Sequence, residues 1–531
     1  MSNTRFKDLI SKGQVALGIE FGSTRIKSVL ITFDNEVIAS GVYSWENKHK
    51  NGFWTYSQEE IIRGLQGAYQ DLKQVVIDNY GMPLKKIDRI GISAMMHGYL
   101  AFNEQYELLV PFRTWRNTNT EQAANELTKL FDFHIPLRWS IAHLYQVILD
   151  KEEHVSQVAY INTLAGMVHY LLTGEHVLGI GDASGMFPID TVAGTYDEKM
   201  LLSFSQLSEL AEYTWDIKKL LPRVLVAGEV AGSLTSQGAL LLDIGGDLEA
   251  GAIFCPPEGD AGTGMVATNS IRPKTGNISA GTSIFAMLVL ENQLKKNHPE
   301  IDVVTTPVGN TVAMVHSNNC STELNAWASL FKEFSRLIGS DLDISKIYEA
   351  LFTEMLKGNL SEETMIAYPY HSGEDIAGLK DGALLFVRSS ASKFNLANFM
   401  KAQLYGAFAT MAMGLRILKE EEGVEVHSIL GHGGIFKTKV VAQRLLAAAL
   451  DTPVQIMDTA SEGGAWGIAL LANYTRYAKD ESLEAFLNQR VFDKMEARTL
   501  SPLPEDVTEF DAFLEKFIKG LSIAKEVEQT I

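Results

Sequence analysis

Along the chain, apolar and polar positions repeat one pattern twice. Residues 15–33, VALGIEFGSTRIKSVLITF, and residues 277–291, NISAGTSIFAMLVLE, each run from a β-branched and aliphatic stretch through a short turn of glycine and hydroxyls into a second such stretch. That composition predicts a β-hairpin in each place. When Ile19-Glu20-Phe21-Gly22-Ser23-Thr24 is laid over the second stretch, Gly22 meets Gly281 and apolar residues follow on both sides. Such an echo is what a duplicated domain leaves, so the pattern predicts two similar α/β halves.

The remaining periodicities predict elements around the hairpins. VIASGVYSW, residues 37–45, reads as a third strand, and Gln58 to about Asn79 as an amphipathic helix with Ile61, Ile62, Leu65, Ala68, Leu72 and Val76 at helical spacing. Ile87 to Ser93 reads as a buried strand that delivers Met95-Met96-His97-Gly98 at its end. Helices are expected at 141–150 and 164–172, a mixed helical and turn region at 197–251, and a short strand at 252–254. In the second half, 399–421 predicts a long helix, 425–430 a strand, 438–450 a helix and 454–457 a strand, after which Glu462-Gly463-Gly464-Ala465-Trp466-Gly467 opens a small-residue helix. Beyond Thr475 the pattern is charged helix, with no chemistry evident in it.

Composition narrows the class. The 531 residues are 46% hydrophobic and 21% charged, the balance of a globular chain long enough for two large domains or three to four smaller ones. A net charge of −19 argues against nucleic acid or an anionic membrane as partner, so a bound anion must be held by local loops and a metal. Cys255 and Cys320 are too few for a disulfide framework or a cysteine zinc site. Residues 1–13 are polar and charged, and no apolar run reaches the roughly 18 residues of a membrane span, so a cytoplasmic protein is expected.

The first turn suits a phosphate: backbone N–H groups and the hydroxyls of Ser23 and Thr24 can converge, and Gly22 can take a positive φ or admit a ligand close to the backbone. Glu20 and Lys27 add a carboxylate and a cation, a set that suits a magnesium-bound polyphosphate, although a solvated Glu on an ordinary hairpin has the same sequence. His97 stands where ligands of open α/β sheets bind, or is a packed histidine. VPFRTWRNTNT, residues 110–120, offers a ring and polar groups for a sugar or for solvent. Asp182 in GIGDASG contacts ligand or caps a turn, capping being favoured. Asp260 in CPPEGDAGTGM is a base near a helix N-terminus or its N-cap. Gly431-His432-Gly433-Gly434 is small enough for a flat ring or sugar to lie against.

No GxxxxGK[ST] run occurs. Two glycine hairpins with a late Gly-Gly turn resemble the actin-like ATPase (ribonuclease H-like) fold, and within it the chain resembles the FGGY carbohydrate kinases from about Val15 to Ala472. GIEFGSTRIK is similar to the family's first phosphate motif, SAMMHG and TWRNT to its sugar segments, GDASG to an aspartate segment of pentulose kinases, GDAGTG to the catalytic-base motif, ISAGTS to the second phosphate motif, and GHGGIFKT with EGGAWG to the adenosine motif. The resemblance implies two duplicated α/β domains with a cleft between them: an N-terminal domain over 13–270, a C-terminal domain over 271–480 and a helical extension over 481–531. It implies ATP and Mg²⁺ as cofactors, with Asp260 as general base, Gly22, Ser23, Thr24, Lys27, Gly281 and Thr282 on the phosphates, and Gly433, Gly434 and Thr438 on adenosine. Met96, His97, Trp115 and Asp260 would meet the sugar, and Glu20 and Asp260 the metal. The Met-His-Gly run favours a ketopentose kinase of the xylulokinase or ribulokinase kind, with a homodimer as the expected assembly. A polyol or other sugar kinase of the same family, or a non-catalytic actin-like ATP-switch protein, is the alternative. The chain departs from the family in three places: Glu20 stands where Asp is usual, Asn117 replaces an aspartate and so removes a charge near the sugar, and the usual Lys and Trp are not evident in IAHLYQVILD.

Overall fold

A computed structural model describes residues 2–438, 440–457 and 463–530. They form two compact units, the first made of Met1–Ile271, Val303–Val312 and Thr459–Met495, the second of Arg272–Asp302, Ala313–Asp458 and Glu496–Ile531. Among the described residues no helix is long and apolar enough to cross a membrane.

The first unit is built on a sheet in which Val15–Phe21 pairs antiparallel with Arg25–Thr32, and that strand with Val37–Ser44. On its other side Val15–Phe21 pairs parallel with Arg89–Ala94, which in turn lies parallel to Ile253–Phe254 and Glu258–Gly259. Every residue of Val15–Phe21 is buried except Glu20, which is half-buried, as expected of a central strand covered on both faces. One face carries the helix Gln58–Tyr80, which begins at a Ser57–Glu60 capping box and stops at the left-handed Gly81.

The helix Gly463–Tyr474 packs close to the same strand. A Cβ on Gly18 would stand 2.1 Å from the Ala465 carbonyl oxygen, and one on Gly467 2.1 Å from that of Thr263, so missing side chains set how closely the backbones approach. This helix was expected in the C-terminal domain, yet Thr459–Met495 clusters with the first unit. Glu462, the first residue of its expected opening, lies outside the described residues.

The second unit repeats the plan. Thr275–Ala280 pairs antiparallel with Ile284–Val289 and parallel with Ser428–His432, followed by Val454–Met457 in parallel. In both units the first strand of a glycine hairpin therefore lies parallel to a strand much later in the sequence. The expected 399–421 helix runs from Leu396 to Arg416 and ends in a π turn, Ile417–Glu421, while the helix expected from Thr438 begins at Val441 after a 3₁₀ turn, Gly434–Lys437. The tail is not helical throughout. Ala497–Leu500 adds an antiparallel strand beside Val454–Met457, and Pro504–Glu528 buries Phe510, Phe513, Leu514 and Phe517 in the core of this unit.

Candidate active site

Three backbone features of the first unit bring its acidic groups together. Glu20 stands opposite Lys27 in the hairpin register and beside Ser93 in the parallel pair. Glu258 also pairs with Ser93, so the next residue but one, Asp260, emerges past the end of the same sheet. There it is the first residue of the helix Asp260–Ala267, whose N-cap is Gly259, so Asp260 does not serve as the N-cap. The Ser93 and Thr263 hydroxyls, 2.9 Å apart, join the strand to this helix.

The Asp260 side chain is open to solvent but closely ringed by protein, and this desolvation pushes its carboxyl up to about 6 against the opposing pull of the Met96, Ala261 and Asp260 backbone N–H groups. Glu20 rises to about 7, first through desolvation and then through the charge of Asp260, while Lys27 and the amides of Ala465 and Gly464 pull it down. The Ala465 N–H donates to Glu20 Oε2 at 3.2 Å.

Behind Asp260 lie two buried acids. Asp182 accepts from the Thr163 hydroxyl at 2.6 Å and caps no turn with its side chain, contrary to the favoured expectation. Its other oxygen, Oδ1, has no partner among the described residues. Glu258 accepts from the Gly181 and Asp182 N–H groups at 3.3 and 3.0 Å. Burial raises both acids well above the ordinary carboxylate range. The position of Glu258, two residues before Asp260 in PPEGDAG, was the only sequence signal for it.

Met96 and His97 lie beside this group. A Cβ on Gly259 would fall 2.2 Å from Met96 Cγ and 3.2 Å from Asp182 Oδ1. His97 takes φ +70°, in the left-handed region, with Nδ1 3.1 Å from the Gly185 carbonyl. The ring stacked on it is Trp139, at 6.3 Å and 15°, which sequence reasoning missed. Trp115 is partly buried against the core of the unit. Asn117 is fully used in structure: it accepts from the Trp54 N–H and donates to the Trp54 and Thr114 carbonyls, each at 2.9 Å. An aspartate could not make those two donations, so the amide pins this loop.

Of the two readings of Gly22, the structure does not show the positive φ. The Gly22 N–H donates to the Arg25 carbonyl at 3.0 Å, as the Gly281 N–H does to Ser283 at 2.9 Å. Ser23, Thr24 and Lys27 are at least partly accessible on the first hairpin, and Gly281 and Thr282 on the second. In the second unit Gly433 takes φ +115°, and a Cβ there would meet the Ala280 carbonyl oxygen at 2.2 Å. Gly434 faces open space, and the half-buried Thr438 ends the 3₁₀ turn.

Two family models match the chain: the N-terminal domain of the FGGY family of carbohydrate kinases over residues 15–245, and the C-terminal domain over residues 276–476. The chain belongs to the FGGY family. A curated relative, the xylulose kinase of Klebsiella pneumoniae, is 24% identical over 274 residues, which are 47% of this chain and 52% of that protein, so the match spans about half the relative's length. Among solved structures, the ligand-bound xylulose kinase of Lactobacillus acidophilus superposes with a TM-score of 0.78 at 17% identity, covering 97% of this chain and 99% of that one. A gluconate kinase of Lactobacillus acidophilus gives the same TM-score, identity and coverage. The FGGY chain thus has the two-domain actin-like, ribonuclease H-like fold.

Proposed function

We propose that this FGGY chain is an ATP-dependent sugar kinase that phosphorylates a hydroxyl of a ketopentose such as xylulose or ribulose. The observation that carries the reading is Asp260: a solvent-open carboxylate at the start of a helix, past the end of the central sheet and beside Met96. With a pKa near 6 it is mostly ionised at neutral pH and is a stronger base than an ordinary aspartate, which suits removal of a proton from a sugar hydroxyl as that oxygen attacks phosphorus. Phosphoryl transfer asks mainly for positioning and charge neutralisation. In this reading Gly22, Ser23, Thr24 and Lys27 hold phosphate oxygens, as do Gly281 and Thr282 of the second unit, while Gly433, Gly434 and Thr438 line the adenosine. Met96, His97 and Trp115 orient the sugar.

The residues present also fit Mg²⁺. Among the described residues no group of three or more His, Cys, Asp or Glu side chains forms a cage. Glu20 and Asp260 supply two carboxylates near enough for the charge of Asp260 to raise Glu20, and Mg²⁺ is commonly held by one or two carboxylates with the substrate phosphates. When bound, it would neutralise charge on the phosphates.

The test is ADP release over a panel of ketopentoses, aldopentoses, polyols and gluconate, the last chosen because a gluconate kinase shares the fold. Turnover stimulated most by a ketopentose is expected. A folded, ATP-binding chain that no sugar stimulates ends the proposal, and a preference for another class moves the substrate while leaving the kinase.

A further inference from the structure

The turn between Val15–Phe21 and Arg25–Thr32 has three successive carbonyls, and one pair of residues holds all of them. Trp45 Nε1–H donates to the Gly22 carbonyl at 2.7 Å, the Tyr56 hydroxyl to the Ser23 carbonyl at 2.6 Å, and the Trp45 backbone N–H to the Thr24 carbonyl at 3.1 Å. The two rings stack at 3.9 Å and 21°, and Trp45 meets Phe21 edge-on at 5.9 Å. Both holders stand on rigid supports. Trp45 directly follows the strand Val37–Ser44, and Tyr56, only 1% exposed, directly precedes the Ser57 cap of the helix Gln58–Tyr80.

In a trans peptide the C=O and the following N–H point in opposite directions, and no peptide bond here is cis. Holding the Gly22 and Ser23 carbonyls toward the rings therefore turns the Ser23 and Thr24 N–H groups the other way, where successive amides form an anion-binding concavity. A flipped peptide would put a carbonyl oxygen in place of a donor. The second hairpin restrains the corresponding carbonyls by other means: the Cys320 N–H donates to the Thr282 carbonyl at 2.9 Å and the Ser321 N–H to that of Gly281 at 3.1 Å. Two repeats with different holders share the restraint itself.

We propose that Trp45 and Tyr56 are positioning residues, an aromatic clamp that presents the amide side of the Gly22-Ser23-Thr24 turn to the nucleotide phosphates. The inference rests on the kinase reading above and adds residues that touch no substrate. Burial pushes the Tyr56 hydroxyl up to about 12, so it remains a donor at any working pH.

Trp45→Phe and Tyr56→Phe each keep an aromatic ring at the position and remove one side-chain donor, the first with a smaller ring and the second with the same ring. In the full-length chain, calorimetry with Mg·ATP and steady-state kinetics with the preferred sugar are expected to give an ATP Kd weakened about three- to tenfold per variant, in line with one lost hydrogen bond. The sugar KM is expected to stay within about twofold and Tm within about 3 °C. A merely structural role would lower Tm and leave the ATP Kd of the folded fraction unchanged, and that result overturns the proposal. If Trp45→Phe does not fold, Tyr56→Phe, which loses a single oxygen, decides alone. A wild-type chain that binds no Mg·ATP refutes the nucleotide reading and the clamp with it, whereas wild-type binding with indifferent variants refutes the clamp alone.

Discussion

The backbone N–H of Asp182 donates to a Glu258 carboxylate oxygen at 3.0 Å, and both acidic side chains are 1% exposed. Desolvation is the chief cause of their raised pKa values; Glu258 also feels Asp182, and Asp182 feels Asp260. The folded chain therefore keeps protons that the unfolded chain releases above about pH 4. Because the unfolded state binds fewer protons, these groups make stability fall as pH rises from about 4 through neutrality. Asp182→Asn keeps an acceptor for the Thr163 hydroxyl and removes one such group. Its Tm relative to the wild type is expected to rise between about pH 5 and about pH 8. A Tm difference that stays constant over that range would place the retained proton elsewhere.

Asp260→Asn separates chemistry from binding. The amide is nearly isosteric and cannot take a proton, so turnover is expected to drop by roughly a hundredfold or more, the usual worth of a general base. ATP binding should persist at saturating Mg²⁺, because the substitution leaves the turn at Gly22 intact, although the loss of one of two carboxylates raises the Mg²⁺ needed. In the wild type, kcat/KM should rise with pH through about 6 as Asp260 ionises. A near-normal rate in the variant would assign the base to another group.

How much of this was legible in the sequence depended on whether the signal was local. The two hairpins were, because β-branched flanks and a glycine turn are contiguous, and so was the helix that opens at Asp260 after a proline- and glycine-shaped approach. The place of Gly463–Tyr474 was not legible. Its packing depends on Gly18 and Gly467, residues far apart in sequence whose missing side chains matter only once the backbones meet. Trp139 was missed for a related reason: its stacking on His97 depends on a left-handed residue at His97 that periodicity does not report. The structural role of Asn117 was not legible either, because its three bonds to Trp54 and Thr114 become visible only in three dimensions.

Gly18→Ala tests the close packing that supports the first hairpin. The added methyl carbon would lie 2.1 Å from the Ala465 carbonyl oxygen, 2.6 Å from the Ala469 nitrogen and 2.9 Å from the Ala469 side chain, so backbone must move. Overpacking of this kind costs typically about 1–3 kcal/mol. Denaturant unfolding of the first unit should show a loss in that range. A variant as stable as the wild type would mean that the helix Gly463–Tyr474 can retreat from the sheet without penalty.

Glu20→Gln asks whether the carboxylate serves a metal or only the local packing. The amide oxygen can still accept from the Ala465 N–H, so the hydrogen bond at 3.2 Å has a substitute while the charge is gone. Loss of one of two carboxylates should raise the Mg²⁺ concentration for half-maximal turnover by about tenfold, comparable to about 1.4 kcal/mol of binding. Chelation of Mg²⁺ should abolish wild-type turnover. Removing the charge also relieves its repulsion with Asp260, so the variant should fold at least as well as the wild type above about pH 7, where Glu20 would otherwise be ionised. A variant with unchanged Mg²⁺ dependence would limit Glu20 to packing beneath Gly464 and Ala465.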